Sequence, residues 1–290
     1  MRKKTTVFDI LLILFIVIWA LIIILPFLNV VVVSFTTNRE YLAQPLLLFP
    51  KEPTLKNYQD LFEDGRIWSG YGTTLRILAF GLPLNLFLTT SFAYGLSRKN
   101  YPGRKFFFYM VLITMLFNGG IIPMYMLMMK LSLTDTLASV VLVYGINTFY
   151  MIIMRNFFSS LPEALIESAK IDGAGEWGIL FRIILPLSMP IIATITLFYT
   201  VDRWNEWFNS MIFIKNSALQ PLQLVLRSIV LESQLLDKVS AQGTVVYDKE
   251  KFANGMKMAA VVVTIVPVMC VFPFLQKHFA KGVMVGAIKS

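Results

Sequence analysis

Ile10–Val33 reads ILLILFIVIWALIIILPFLNVVVV and carries one strongly polar side chain, Asn29. Roughly 20 mostly apolar residues are enough for a helix to cross a bilayer, and this run is longer. The basic head Met1-Arg2-Lys3-Lys4 precedes it, which gives the chain a start like that of a signal peptide. The apolar run is too long for one, and no small-residue cleavage site closes it. It reads as a retained first membrane helix.

The rest of the chain has the same character. Of 290 residues, 57% are hydrophobic and only 15% are charged, against a usual charged share of about 25%. Mean hydropathy is +0.68. So few charges cannot cover the surface of a soluble domain, which argues against a soluble enzyme. Intrinsic disorder is excluded by the amount of apolar surface available for burial. The formal charge of +9 reads as a topology signal rather than a nucleic-acid surface. Cys270 is the single cysteine, so no intrachain disulfide and no cysteine-rich metal site can form. His278 is the single histidine, and no serine or cysteine motif surrounds it to make a triad. Both residues read as ordinary core or interfacial side chains.

Five more apolar runs follow the first: 73–96, 106–129, 137–154, 187–208 and 258–275. The predicted fold is an all-α polytopic membrane protein of six helices in a single domain. Pro83, Gly119, Gly120, Pro123, Pro267 and Pro273 lie inside these runs and mark kinks or close contacts, which packed neighbours tolerate in a membrane. The short loops set the orientation. Residues 97–105 hold Arg98, Lys99, Arg104 and Lys105 with no acid, and the C-terminal tail holds Lys277, Lys281 and Lys289. Residues 34–70 hold Arg39, Lys51, Lys56 and Arg66 against five acids. The positive-inside rule then places both termini and the 97–105 and 155–182 loops in the cytoplasm. Residues 209–256 become an outside linker, in which Leu222, Leu224, Leu226 and Ile229 suggest a short amphipathic or re-entrant element. With 34–70 it is expected to form an external docking surface. There is no internal repeat and no Gly-rich loop ending in Gly-Lys-Ser/Thr, so ATP is not bound by that route.

Segment 159–186 is the most informative stretch. Ser160 and Glu163 have capping-box spacing, and Pro162 suits the first turn of a helix. Ala164, Leu165, Ser168, Ala169 and Ile171 form a short helix with a small-residue surface, and Gly173 can end it in the left-handed conformation. A second helix leads to Pro186 and the fifth span. Acids outnumber bases four to three over 155–182 (Glu163, Glu167, Asp172 and Glu176 against Arg155, Lys170 and Arg182), contrary to the positive-inside trend.

This pattern resembles the cytoplasmic signature of ATP-binding-cassette importer permeases: Glu-Ala-Ala, three residues, Gly, nine residues, Ile, one residue, Leu-Pro. Here it stands as Glu167-Ser168-Ala169, Gly173, Ile183 and Leu185-Pro186, with every spacing kept and Ser168 replacing one Ala. Leu185-Pro186-Leu187-Ser188-Met189-Pro190, Trp204-Asn205-Glu206-Trp207 and the tail to Gly286-Ala287-Ile288-Lys289-Ser290 narrow the likeness to carbohydrate-uptake permeases of the maltose-permease type. Within these, the chain looks most like subunits of aldouronate, pectin-oligosaccharide and alginate systems.

The resemblance implies a type I importer permease in a bacterial inner membrane, a transport subunit rather than an enzyme. Its implied partners are a second homologous permease subunit in a heterodimer, two ATPase subunits that hydrolyse ATP, an external solute-binding protein, membrane lipid and an oligosaccharide substrate. No nucleic acid, cofactor or metal is implied. Glu163, Glu167, Ser168, Ala169, Asp172, Gly173 and Pro186 become the ATPase-coupling residues, with Glu167 the polar contact. Gly286, Ala287, Ile288, Lys289 and Ser290 become a tail reaching between the ATPases. For the sugar, aromatic faces and polar side chains near membrane depth are the candidates: Asn85, Asn118, Tyr144, Asn147, Tyr150, Tyr199 and Trp204. Interhelical hydrogen bonding accounts for an intramembrane Asn equally well, and belt anchoring for Trp204. The competing classes are a permease for amino acids or peptides, an ion-driven secondary transporter and a membrane-embedded enzyme. The last would need an acidic or metal-binding cluster, and the sequence has none.

Overall fold

A computed structural model describes residues 7–44, 48–241 and 252–287, and every regular element among them is helical. The basic head (Arg2, Lys3 and Lys4) and the tail residues Ile288, Lys289 and Ser290 lie outside the described residues. In chain order the helices are α1 (Val7–Ser34), α2 (Asn38–Ala43), α3 (Lys56–Glu63), α4 (Arg66–Ser97), α5 (Arg104–Leu116), α6 (Ile121–Lys130), α7 (Leu137–Val143), α8 (Thr148–Ser159), α9 (Glu163–Ile171) and α10 (Glu176–Ile179). A π-helical turn, Leu180–Ile184, leads to α11 (Leu185–Leu187), and then come α12 (Met189–Trp204), α13 (Phe208–Phe213), α14 (Leu222–Ala241) and α15 (Ala253–Ala287).

α1 has 28 residues, about 42 Å at the α-helical rise and more than a bilayer's hydrocarbon core. Its side chains are exposed nearly throughout, and only Val33 and Ser34 are buried. A helix apolar on every side suits lipid. The six apolar runs are not six straight helices. α1, α4 and Ala253–Cys270 are long and apolar enough to cross, while the other three runs are bent pairs. α5 and α6 bend by 114°, α7 and α8 by 50°, and Glu176–Leu187 and α12 by 87°. The 106–129 run breaks because Gly120 takes φ 91 and Asn118 Oδ1 accepts the Gly120 N–H at 2.9 Å. The 187–208 run breaks twice, at Ser188 between α11 and α12 and again after Trp204. The expected linker 209–256 holds α13 and the 20-residue α14. Leu222, Val225, Ile229 and Ser233 are buried along one side of α14, at helical spacing.

The chain divides into two compact units. One holds the described residues up to Trp68 together with those of Val225–Val268. In it Asn57 donates to the carbonyls of Ser34 and Thr36 at 2.9 and 3.0 Å, and Arg66 bridges Asp64 and Glu232. A side chain at Gly255 would collide with Phe252 and Asn57, so only glycine lets these segments approach. The other unit holds Ser69–Leu224 and the described residues from Met269. Its core gathers Ala93 and Tyr94 of α4, Met151, Met154 and Phe158 of α8, Ile166 and Ala169 of α9, Leu180 and Ile184 of the π turn, and Ile191, Ile195 and Tyr199 of α12.

Candidate functional site

Two features of the Ser69–Leu224 unit involve the residues singled out by the sequence. The first is α9 with the turn after it. Ile166 and Ala169 point into the core, while Ala164, Leu165, Glu167, Ser168, Ile171 and Asp172 form the outer face. Ile171 is 86% exposed, a large apolar side chain left bare. Gly173 takes φ 79 and closes the helix. Its N–H bonds the Lys170 carbonyl at 3.0 Å, and the Ala174 N–H bonds the Ala169 carbonyl at 2.9 Å. These two bonds are a Schellman stop, which settles the last carbonyls without outside help. Beyond it, the π turn precedes Pro186. Proline has no N–H, and its ring crowds the preceding turn, which widens here.

Two expectations for this segment are corrected. The capping box does not form. Ser160 Oγ donates back to the Phe157 carbonyl at 2.8 Å, so the serine ends α8 rather than starting α9. Ala169 belongs to the core, not to the outer face, because α9 must rest some residue on Ile179 and Leu180. Glu163 reaches across to Lys99 at 2.5 Å, and that ammonium holds its carboxyl below the usual carboxylate range. Glu176 accepts from Lys170 and from the Tyr94 hydroxyl, each at 2.5 Å, which ties the segment to α4. Glu167 holds no ion pair among the described residues and stands exposed.

The second feature is the break between α7 and α8. In lipid a broken helix must have its freed carbonyls satisfied by protein. Arg203, 2% exposed, supplies the donors. Its Nη1 donates to the Val140 carbonyl at 2.9 Å, and Nη2 donates to those of Val141 and Tyr144 at 2.9 and 3.0 Å. Its Nε donates to Asn85 Oδ1 at 3.0 Å, and Asn85 Nδ2 donates to the carbonyls of Tyr144 and Gly145 at 2.5 and 2.9 Å. Gly81 makes room, since a Cβ there would lie 3.1 Å from Arg203 Nε. The Tyr199 hydroxyl accepts the Asn147 N–H at 2.9 Å and pairs with Thr89 at 2.7 Å. Asn147 Oδ1 caps α8 by accepting from Phe149 and Tyr150.

Two open cavities, about 350 and 660 Å³, flank this break and share Tyr144, Asn147, Phe208 and Asn209 in their walls. Asn118 and Phe149 line the larger, and Asp202 and Asn205 the smaller. Of the expected sugar contacts, Asn118, Tyr144 and Asn147 reach this groove. Tyr150 donates to Asp202 at 2.9 Å beside it. Asn85 is fully buried and spent on backbone carbonyls. Tyr199 touches the wall, but its hydroxyl is committed. Trp204 is buried, edge-on to Tyr71 at 6.2 Å. Hydrogen bonds within the protein occupy Asn85 and the Tyr199 hydroxyl, while the buried Trp204 Nε1 has no hydrogen-bond partner among the described residues. Gly286 and Ala287 end α15. Gly81 reads from sequence as a kink or close contact and is one, whereas Arg203, which reads as an ion pair with its neighbour Asp202, instead clamps the break. The signal available was a basic residue inside an apolar run, since intramembrane charges face protein interiors. Among the described residues no group of three or more His, Cys, Asp or Glu is placed to hold a metal.

The family model described as "Binding-protein-dependent transport system inner membrane component" matches residues 4–285. Protein LplC of Bacillus subtilis (strain 168) is 40% identical over 99% of this chain and 96% of its own length. The polygalacturonan/rhamnogalacturonan transport system permease protein YtcP of the same organism is 39% identical, covering 99% of each. A crystal structure of a bacterial ABC transporter involved in the import of the acidic polysaccharide alginate contains a similar chain, with a TM-score of 0.84 and 28% identity. The likeness covers 96% of this chain and all of that one.

Proposed function

Because the chain belongs to the family of binding-protein-dependent transport system inner membrane components, we propose that it is a permease subunit of an ATP-driven importer of oligosaccharides. The observation that carries this is α9: a short, capped helix seated on the core, with Ala164, Glu167, Ser168, Ile171 and Asp172 facing out. An ATPase cleft closing on that face moves a rigid body rather than a loop, and ATP becomes the ligand that shifts a two-state equilibrium. Glu167 is the contact to the ATPase. The partners are a second, homologous permease forming a heterodimer, two ATPase subunits and an external binding protein. Both termini lie in the cytoplasm, and the tail Gly286–Ser290 reaches between the ATPases.

The substrate is an oligosaccharide of the kind named for the relatives, which serve polygalacturonan or rhamnogalacturonan transport and import of the acidic polysaccharide alginate. The groove suits it: Tyr144, Phe149 and Phe208 offer ring faces, and Asn118 and Asn147 offer amide N–H groups for hydroxyl groups. The test is purification with the co-encoded neighbours. An ATPase should copurify, and Glu167→Arg should abolish binding-protein-stimulated ATP hydrolysis and uptake. Absence of an ATPase, or full uptake by Glu167→Arg, would refute the assignment.

A further inference from the structure

We infer that Arg203 and Tyr199 are positioning residues that make the α7–α8 break move with α12, so that displacement of the 163–187 segment reshapes the groove. The inference rests on the proposed role of that segment as the ATPase contact.

The connection is a chain of short steps. The segment ends in α10, the π turn and α11, and the chain passes through Ser188 directly into α12. α12 carries Tyr199 and Arg203 on one side, four residues apart, so both project toward the same neighbours. These two side chains take hold of residues 140–147 at five points. Arg203 grips the carbonyls of Val140, Val141 and Tyr144, a fourth bond runs through Asn85, and Tyr199 receives the Asn147 N–H. A planar guanidinium fixed by four acceptors has one geometry, whereas an ammonium could not span them. The gripped residues are also the groove's wall, because Tyr144 and Asn147 line both cavities. Arg203 also borders the smaller cavity, but its guanidinium donates to three backbone carbonyls and to Asn85 Oδ1. Its place there is explained by the break it holds.

The test uses the whole complex, with its ATPases, in lipid nanodiscs. Tyr144→Cys is the reporter, in a Cys270→Ser background. Tyr144 gives the clamp only its carbonyl, which the substitution keeps. The rate of labelling by a small maleimide is measured without nucleotide and after trapping with ATP and vanadate. The parent is expected to show a several-fold difference between the two states. That difference should collapse in Arg203→Lys and in Tyr199→Phe while nucleotide is still trapped. Should Arg203→Lys fail to fold, Tyr199→Phe and Gly81→Ala, whose added methyl pushes on Arg203 Nε, carry the test. Collapse in any folded variant supports the relay. An unchanged rate between states in the parent, or retention of the difference in every folded variant, overturns it. A complex that traps no nucleotide instead counts against the proposed function, so the two failures are distinct.

Discussion

α9 and α7 both stop abruptly, and they dispose of their last carbonyls in opposite ways. α9 uses its own chain: Gly173 turns left-handed, and two N–H groups a few residues on close the helix. α7 relies on Arg203, some sixty positions later in sequence, with Asn85 from an earlier helix. The first stop is exposed and local, the second buried and assembled from three helices. A self-contained stop survives on a moving surface part. A stop made from distant side chains binds elements together and exists only in the finished fold.

The comparison breaks most readily at Arg203. Arg203→Met strands the carbonyls of Val140 and Val141 and leaves Asn85 half-satisfied. A buried acceptor without a partner costs about 1–3 kcal/mol, so the sum should exceed about 3 kcal/mol. Thermal unfolding of the purified complex should show a large drop in Tm or loss of folded protein. Gly173→Val comes next. A β-branched residue in the left-handed region costs about 1–2 kcal/mol, and that strain falls on the α9 stop. The bulk of the protein should melt near the wild-type temperature, while binding-protein-stimulated ATP hydrolysis falls sharply. Equal loss of Tm in the two variants would mean that the α9 stop is as deeply tied into the fold as the α7 stop.

Smaller effects sharpen the contrast. Tyr94→Phe removes the bond to Glu176 and should cost about 1 kcal/mol, seen as a small Tm shift. The Lys99–Glu163 pair is exposed and should matter least, as is usual for such pairs. Its sign with pH is fixed. Lys99 holds the folded Glu163 pKa below its unfolded value. The contribution is therefore present above the unfolded pKa and is lost as pH falls through the folded one. Lys99→Ala should leave Tm unchanged below the folded Glu163 pKa and nearly unchanged at neutral pH, and added salt should erase any difference.

The same contrast explains what could be read from sequence. The apolar runs were legible because lipid demands length and composition, which are local properties. So was the Gly173 stop, since glycine after a short amphipathic run has few other uses. The break at Asn118-Gly119-Gly120 was half legible: those residues announced a kink, but not one of 114°. The α7–α8 break was not legible, because its donors come from α4 and α12. The Ser160 misreading has the same origin. Its spacing to Glu163 fits a capping box, but Lys99, remote in sequence, takes Glu163, and Ser160 turns back to Phe157. α14 was underestimated because its buried stripe is diluted by polar residues on the other side.

The π turn at Leu180–Ile184 sets an angular phase. It spends one residue more per turn than an α-helix, and one residue corresponds to about 100° of rotation about the axis. Everything before it, including Trp177 stacked on Phe87, is therefore aimed relative to α11 by that single surplus residue. A one-residue deletion within 180–184 would keep the helix, the composition and the Leu185-Pro186 pair. It would nevertheless swing the preceding face about a quarter turn away from the surface it now meets.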